Sequence, residues 1–292
     1  MPSLETWKRK IETVEDLQLV VKTMKALAAV NIHQYEKAVN SLIEYERTLT
    51  MGIQILLKNH PQALLSMKAI VNQRLAVVVF GSDQGMCGQF NEKITQFTLD
   101  NLESVEYPWV LTIGGRISDR LEAKGYQSQL CLRVPSSLTG ITTIVQEIVI
   151  TLEDWLREKQ INQIWVFYNQ FQSGVVYHPE KVQIFPLNLV WLRELQRQKW
   201  VSSTLPMITL PPKFLASALF RQYFFVCLYR ACAESLASEN ASRLASMQAA
   251  EKNITERLTE LQAQFQHQRQ TNITEELLDI IAGFEALSYT SI

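Results

Sequence analysis

The residues that break helices are confined almost entirely to the middle of this chain. Eight of the nine prolines and eight of the ten glycines lie between Pro61 and Pro212; residues 3–60 hold only Gly52 and no proline, and residues 213–282 hold neither. Pro2 and Gly283 stand outside these ranges, at the two ends of the chain. Proline removes a backbone donor and clashes with the preceding turn, and glycine costs backbone entropy, so both are rare inside helices. The distribution predicts two long uninterrupted helices flanking a compact middle. The domain boundaries expected from it are 1–60, 70–205 and 212–292.

The first helix declares its packing face. Trp7, Val14, Val21, Ala28, Tyr35, Leu42, Leu49 and Leu56 recur every seven residues. Ile11, Leu17, Met24, Ala38 and Tyr45 suggest a second seam beside it. A sustained seven-residue repeat marks a left-handed coiled coil, and Ser3 is a suitable N-cap. The last helix shows steps of 4, 3, 4 through Ile254, Leu258, Leu261 and Phe265, and again through Ile273, Leu277, Ile280, Phe284 and Leu287. Between 237 and 250 its seam turns to alanine and serine, which bury little area but allow close approach. The pair is read as a long antiparallel coiled coil.

The middle alternates strand and helix. Arg74–Phe80, Trp109–Gly114, Gln127–Val134, Gln163–Tyr168 and Lys181–Leu187 read as strands, and Phe90–Leu102 and Ile141–Lys159 as helices, with another helix ending near Gly125. That alternation predicts a Rossmann-like α/β domain with a mostly parallel sheet.

The expected chemistry is sparse. Lys and Arg number 28 against 29 Asp and Glu, a balance that argues against nucleic acid as a partner. Cys87, Cys131, Cys227 and Cys232 show no CxxC, and the four histidines are isolated, so no disulfide framework or metal site is expected. The loop Gly81–Asn91 follows the first strand, where a phosphate loop would stand, yet its spacing is GxxxGxxG rather than GxGxxG. It reads as a tight turn feeding a helix. Cys87 could be an activated thiol at a helix start, and Asp83 with Glu92 a carboxylate pair, but no histidine is near in sequence. Neither a cofactor nor catalytic residues are expected. The opening MPSLETWKRK lacks the apolar run of a signal peptide, and Arg221 and Arg230 interrupt the apolar stretch 214–233. Any membrane association is expected to come through partners.

Three blocks resemble the γ subunits of F-type ATP synthases. Lys10–Ala29 (KIETVEDLQLVVKTMKALAA) is similar to that family's first helix. Ser82–Asn91 (SDQGMCGQFN) resembles its S-D-R-G-L-C-G-x-F-N motif, carried here by Ser82, Asp83, Gly85, Cys87, Gly88, Phe90 and Asn91, with Gln84 replacing the arginine. Leu228–Ala250 and Arg269–Leu287 resemble its C-terminal ending. The resemblance implies a central rotor shaft turning inside a hexamer of α and β subunits, with the α/β domain on an ε subunit and a membrane ring of c subunits. It implies that Met24, Lys25, Arg243, Gln270, Thr274 and Glu276 contact the hexamer, that the stretch Ile280–Leu287 is an apolar bearing, and that catalysis belongs to the partners. The location implied is peripheral, on the cytoplasmic face of a plasma (inner) or thylakoid membrane. On the residues alone, a coiled-coil tether or a Rossmann-type enzyme with helical arms stays open. The near-neutral charge and the missing basic cluster after Ala29 suggest a divergent lineage.

Overall fold

A computed structural model of the chain describes residues 3–60, 74–103, 105–174, 176–200 and 202–289; at 173 and 283–289 it describes the backbone alone. Eleven elements follow in order: α1 (Leu4–Asn59), β1 (Leu75–Phe80), α2 (Phe90–Leu102), β2 (Trp109–Ile113), α3 (Gly115–Glu122), β3 (Ser128–Leu132), α4 (Leu138–Glu158), β4 (Gln163–Ser173), β5 (Val176–Phe185), α5 (Leu189–Arg197) and α6 (Pro212–Tyr289). The two breaker-free stretches are helices of 56 and 78 residues. Two compact units arise: Ala28–Leu244, and Met1–Leu27 with Ala245–Ile292.

The larger unit is built on a five-stranded sheet in the order β3-β2-β1-β4-β5. β1 runs parallel to both β2 and β4, and β2 parallel to β3. Every residue of β1 is buried, which fits a strand covered on both faces. Its side chains divide by parity. Ala76, Val78 and Phe80 pack with Ile141, Val145, Ile148 and Leu152 of α4 and with Leu228, Ala231 and Leu236 of α6. Leu75, Val77 and Val79 pack with Ile94 and Leu102 of α2 and Ile117 and Leu121 of α3.

Two parts of this unit differ from the sequence reading. The strand expected at Lys181–Leu187 begins earlier, at Val176, and pairs antiparallel with an extended β4. Pro179 is tolerated because β5 is an edge strand, where a missing donor breaks no ladder. The second is α5, which was not foreseen. Asn188 caps it, its Oδ1 accepting from Val190 N at 2.8 Å, and Leu192 and Leu195 pack against Leu49, Ile53 and Leu57 of α1.

α6 does something here that an amphipathic helix does not. All twelve residues from Ala231 to Ser242 are buried, whichever way they point. The sheet and α4 cover one side, and Tyr35 of α1 joins the same cluster. The alanines and serines of this segment fit a helix enclosed on every face.

In the smaller unit α1 and α6 pair antiparallel. Gln18 Nε2 donates to Thr255 Oγ1 at 3.2 Å, and Lys25 Nζ to Glu251 Oε2 at 2.5 Å, so rising numbers on one helix meet falling numbers on the other. Val21, Met247, Ile254 and Leu258 form the core, with Ile11, Val14, Met24 and Ala250 against it. Along α1 the principal seven-residue seam holds: Val21, Ala28, Tyr35, Leu49 and Leu56 are buried and Trp7, Val14 and Leu42 half-buried. The second seam fails at Leu17 and Tyr45, 51% and 47% exposed. An α-helix turns every 3.6 residues, so a neighbouring stripe drifts off the contact line. Past Leu261, which shares a groove with Ser3 just before α1 and Thr6 in its first turn, α6 continues without that partner. Ile273, Leu277 and Ile280, expected as a packing seam, are exposed there.

Candidate functional site

In open α/β sheets, ligands bind beyond the carboxyl ends of the strands, where strand order reverses. Here that point lies between β1 and β4, because the chain steps from β1 out to β2 and β3 and then returns to β1's other side. The loop Gly81–Asn91 stands there. Gly81 has no room for a side chain: an added Cβ would lie 2.4 Å from Ile117 Cβ. Met86 (φ 59) and Gly88 (φ 54) are in the left-handed region, so the loop folds back sharply before α2.

The motif residues are brought together, and they bind the protein itself. Asn91 Oδ1 accepts from Ser82 N at 3.0 Å, and Asn91 Nδ2 donates to Ser82 Oγ at 2.7 Å. Asp83 spans two neighbouring connections: Oδ1 accepts from Gly115 N at 2.7 Å and Oδ2 from Val134 N at 2.8 Å. Its carboxylate sits at the start of α3, the position an anionic ligand would take. Asp83 is therefore not paired with Glu92. Phe90 is fully buried, and its carbonyl accepts from Asn169 Nδ2 of β4 at 3.1 Å. Gly85 has only an arginine side chain within reach of an added Cβ, at 3.9 Å.

α6 closes the rest of the crevice. Ser238 Oγ donates to Asn169 O at 2.8 Å, and Ser242 Oγ to Cys87 O at 2.6 Å. Tyr177 of β5 brings its hydroxyl to 3.2 Å from Ser242 Oγ. Cys87 is 3% exposed. Burial pushes its thiol up from the ordinary value, against the opposing hydrogen bond with Ser82, so it lacks the thiolate character a nucleophile needs. The turn reading of this loop describes its geometry: the site where a cofactor would lie is filled by Asp83 and by α6.

The six residues assigned to partner contact fall into two groups. Gln270, Thr274 and Glu276 are exposed on α6, and Thr274 Oγ1 donates to Gln270 O at 2.9 Å. The other three are engaged within the chain. Met24 is half-buried against the smaller core, and Lys25 is held by Glu251. Arg243 pairs with Glu239 at 2.5 Å, with side chains 13% and 6% exposed. Arg243 is thus not the open helix position its sequence context suggests. Burial raises the Glu239 carboxyl, and Arg243 opposes the shift. The Glu239–Arg243 spacing of four residues was the available signal for this pair. Glu234, also buried, was not singled out. Burial raises its carboxyl, with Arg230, Tyr168 and Gln170 opposing, and its Oε2 has no hydrogen-bond partner. Among the described residues no group of His, Cys, Asp or Glu is arranged to hold a metal ion. The described part of the Ile280–Leu287 stretch is exposed through Ala282, and the side chains beyond lie outside the described residues.

Comparison with known proteins agrees with this geometry. A family model described as ATP synthase matches residues 3–287. The ATP synthase gamma chain of Buchnera aphidicola subsp. Diuraphis noxia is 25% identical over 296 residues, covering 99% of each chain. That of Ehrlichia chaffeensis is 26% identical over 298 residues, covering 99% of this chain and 100% of the relative. In fold, the rotor of the Euglena gracilis mitochondrial ATP synthase matches with a TM-score of 0.61 at 14% identity, over 92% of this chain and 98% of that one. The central stalk of the Tetrahymena thermophila enzyme matches at 0.58 and 16%, over 79% and 99%. With a family match that runs from the first turn of α1 to the last turns of α6, this chain belongs to the ATP synthase family, among its gamma chains.

Proposed function

We propose that the chain is the central rotor shaft of an F-type ATP synthase or ATPase, coupling ion flow through a membrane ring of c subunits to ATP synthesis or hydrolysis in a hexamer of α and β subunits. One observation carries this reading. In the smaller unit two helices pair antiparallel, and the longer one continues as a single helix with Ile273, Leu277, Leu278, Ile280 and Ile281 between 47% and 69% exposed. A stripe of that kind marks a surface that another chain covers. A collar that slides over apolar side chains supplies such cover without holding the shaft at any one angle.

The chain contributes no catalytic group to this function. Turning an asymmetric shaft drives the β subunits through their nucleotide states. Met24, Lys25, Arg243, Gln270, Thr274 and Glu276 form the contact set toward the hexamer, the first three through surfaces left open by their internal partners. The α/β unit meets ε and the c-ring. No described helix is long and apolar enough to cross a membrane, so attachment at the membrane comes through the complex. The reading as a Rossmann-type enzyme has less support, since Asp83 and α6 occupy the crevice where a ligand would bind.

Co-expression with partner α, β, ε and c subunits tests the proposal. The expected result is a complex that hydrolyses ATP and pumps ions into vesicles, and that loses pumping when this chain is omitted. Recovery of the chain without α and β subunits, or pumping that does not depend on it, overturns the reading.

A further inference from the structure

The core of the smaller unit is thin. Val21, Met247, Ile254 and Leu258 make its centre, and Leu261 is the one further buried apolar side chain among the described residues of this unit. On α6 the side chains around Met247 are small: Ala245, Ser246, Ala249 and Ala250. Small side chains bury little area and present similar surfaces one turn up or down the helix. Apolar packing of this kind sets the axial position of one helix on another weakly. Coiled coils restore register with charged or polar pairs placed at the seam.

Among the described residues of this unit one ion pair crosses between the helices. Lys25 Nζ lies 2.5 Å from Glu251 Oε2, with the side chains 35% and 24% exposed. Thr255, one turn further along α6, donates its hydroxyl to Glu251 O at 2.8 Å and accepts from Gln18 of α1 at 3.2 Å. The other ion pairs described in this unit, Arg9 with Glu5 and Arg257 with Glu260, stay within one helix. Nothing in the family resemblance assigned a role to Glu251, and Lys25 was assigned outward, toward the hexamer.

We propose that Glu251 is a positioning residue for torque transfer. It draws the Lys25 ammonium onto α6 and clamps the two helices against sliding or twisting past each other. The Lys25 head serves the shaft internally, and its methylene stem is the part left for the collar. This inference rests on the rotor reading. A shaft whose strands slip delivers less of the ring's rotation to the β subunits, so the clamp governs coupling more than assembly.

Charge exchange in the assembled complex tests it. Lys25→Glu, Glu251→Lys and the double exchange are each reconstituted into vesicles, and ions pumped per ATP hydrolysed are measured on purified complexes. Each single exchange puts like charges face to face and should lower the ratio about fivefold, the factor equivalent to roughly 1 kcal/mol. The double exchange restores the opposite-charge pair and should return the ratio to within about twofold of the parent. If a single exchange blocks assembly, Lys25→Met with Glu251→Gln, which removes charge at similar volume, should assemble with a lowered ratio. A double exchange as impaired as the worse single, or a Glu251→Lys complex with the parent ratio, overturns the clamp. Those outcomes leave the rotor reading intact. That reading fails separately if the unaltered chain does not assemble with α and β.

Discussion

Asp83 shows how much one side chain can join in this fold. Its two carboxylate oxygens tie the β1–α2 loop to the start of α3 and to the segment after β3. Hydrogen bonds to a charged group contribute about 1.5–3 kcal/mol each when sheltered, and Asp83 is exposed, so Asp83→Ala should cost about 1–2 kcal/mol in total after discounting for solvent. Asp83→Asn, which keeps one acceptor oxygen, should lose less. Urea melts at pH 7 measure both, and an alanine variant as stable as the parent would show that the two bonds only decorate the loop. Glu234 makes a different kind of test. Its carboxyl is raised, chiefly by burial, so the folded state holds a proton more tightly than the unfolded chain. Its contribution to stability is therefore present below the unfolded value of about 4.3 and is lost as pH rises above it. Glu234→Gln should melt higher than the parent at pH 7 and level with it near pH 4. Arg230 keeps a partner in the variant, since it also bonds Glu46. Equal melting temperatures at both pH values would contradict the shift.

At the scale of elements the decisive object is α1. Ala28 is 1% exposed and lies far from both ends of the helix. Proline there removes a backbone bond and clashes with the turn before it, costing about 3 kcal/mol or more and kinking the helix. In the assembled complex Ala28→Pro should uncouple ATP hydrolysis from ion pumping, while Lys37→Ala, at an exposed position of the same helix, should be nearly silent. Normal pumping per ATP in an assembled Ala28→Pro complex would refute the shaft. The sequence disclosed elements of this kind well, because long periodic segments without breakers admit few alternatives. α2 was read at its observed bounds, and β1 and β2 within a residue, since β1 is buried on both faces and needs an unbroken apolar run. α5 escaped because nine residues offer little periodicity; its signal was Asn188 as a cap. The β4–β5 hairpin was underestimated because the first half of β5, Val176 to Glu180, has no buried residue, no alternation and a proline. The loop motif could be located from spacing, but not its role, since Ser238, Ser242 and Asn169 approach it from distant sequence. The burial of the Arg243–Glu239 pair was hidden for the same reason: the enclosure beside it, over Ala231–Ser242, is tertiary and leaves no period in the sequence.

For the molecule as a whole, the proposed function separates folding from performance. Glu276 is exposed, and exposed helix positions usually change stability by no more than about 0.5 kcal/mol. Glu276→Ala should leave the melting of the isolated chain unchanged and slow ATP turnover in the complex; a variant that melts early with normal turnover would assign the residue to structure instead. The isolated chain should also self-associate, since Leu277, Leu278 and Ile280 are bare on α6, and a clean monomer at high concentration in the ultracentrifuge would count against a missing collar. The enclosed segment of α6 has a consequence in time. Backbone amides exchange their protons for deuterium when the structure around them opens, and the energy of that opening ranges from near zero to the full unfolding energy. The amides of Ala231–Ser242, covered on all sides, can be reached only when the sheet comes apart. Those of residues 262–282, on the bare stretch of the same helix, need only a passing local fray. One unbroken helix should therefore keep two clocks, and labelling followed by mass spectrometry should find residues 262–282 deuterated while Ala231–Ser242 still holds its original protons.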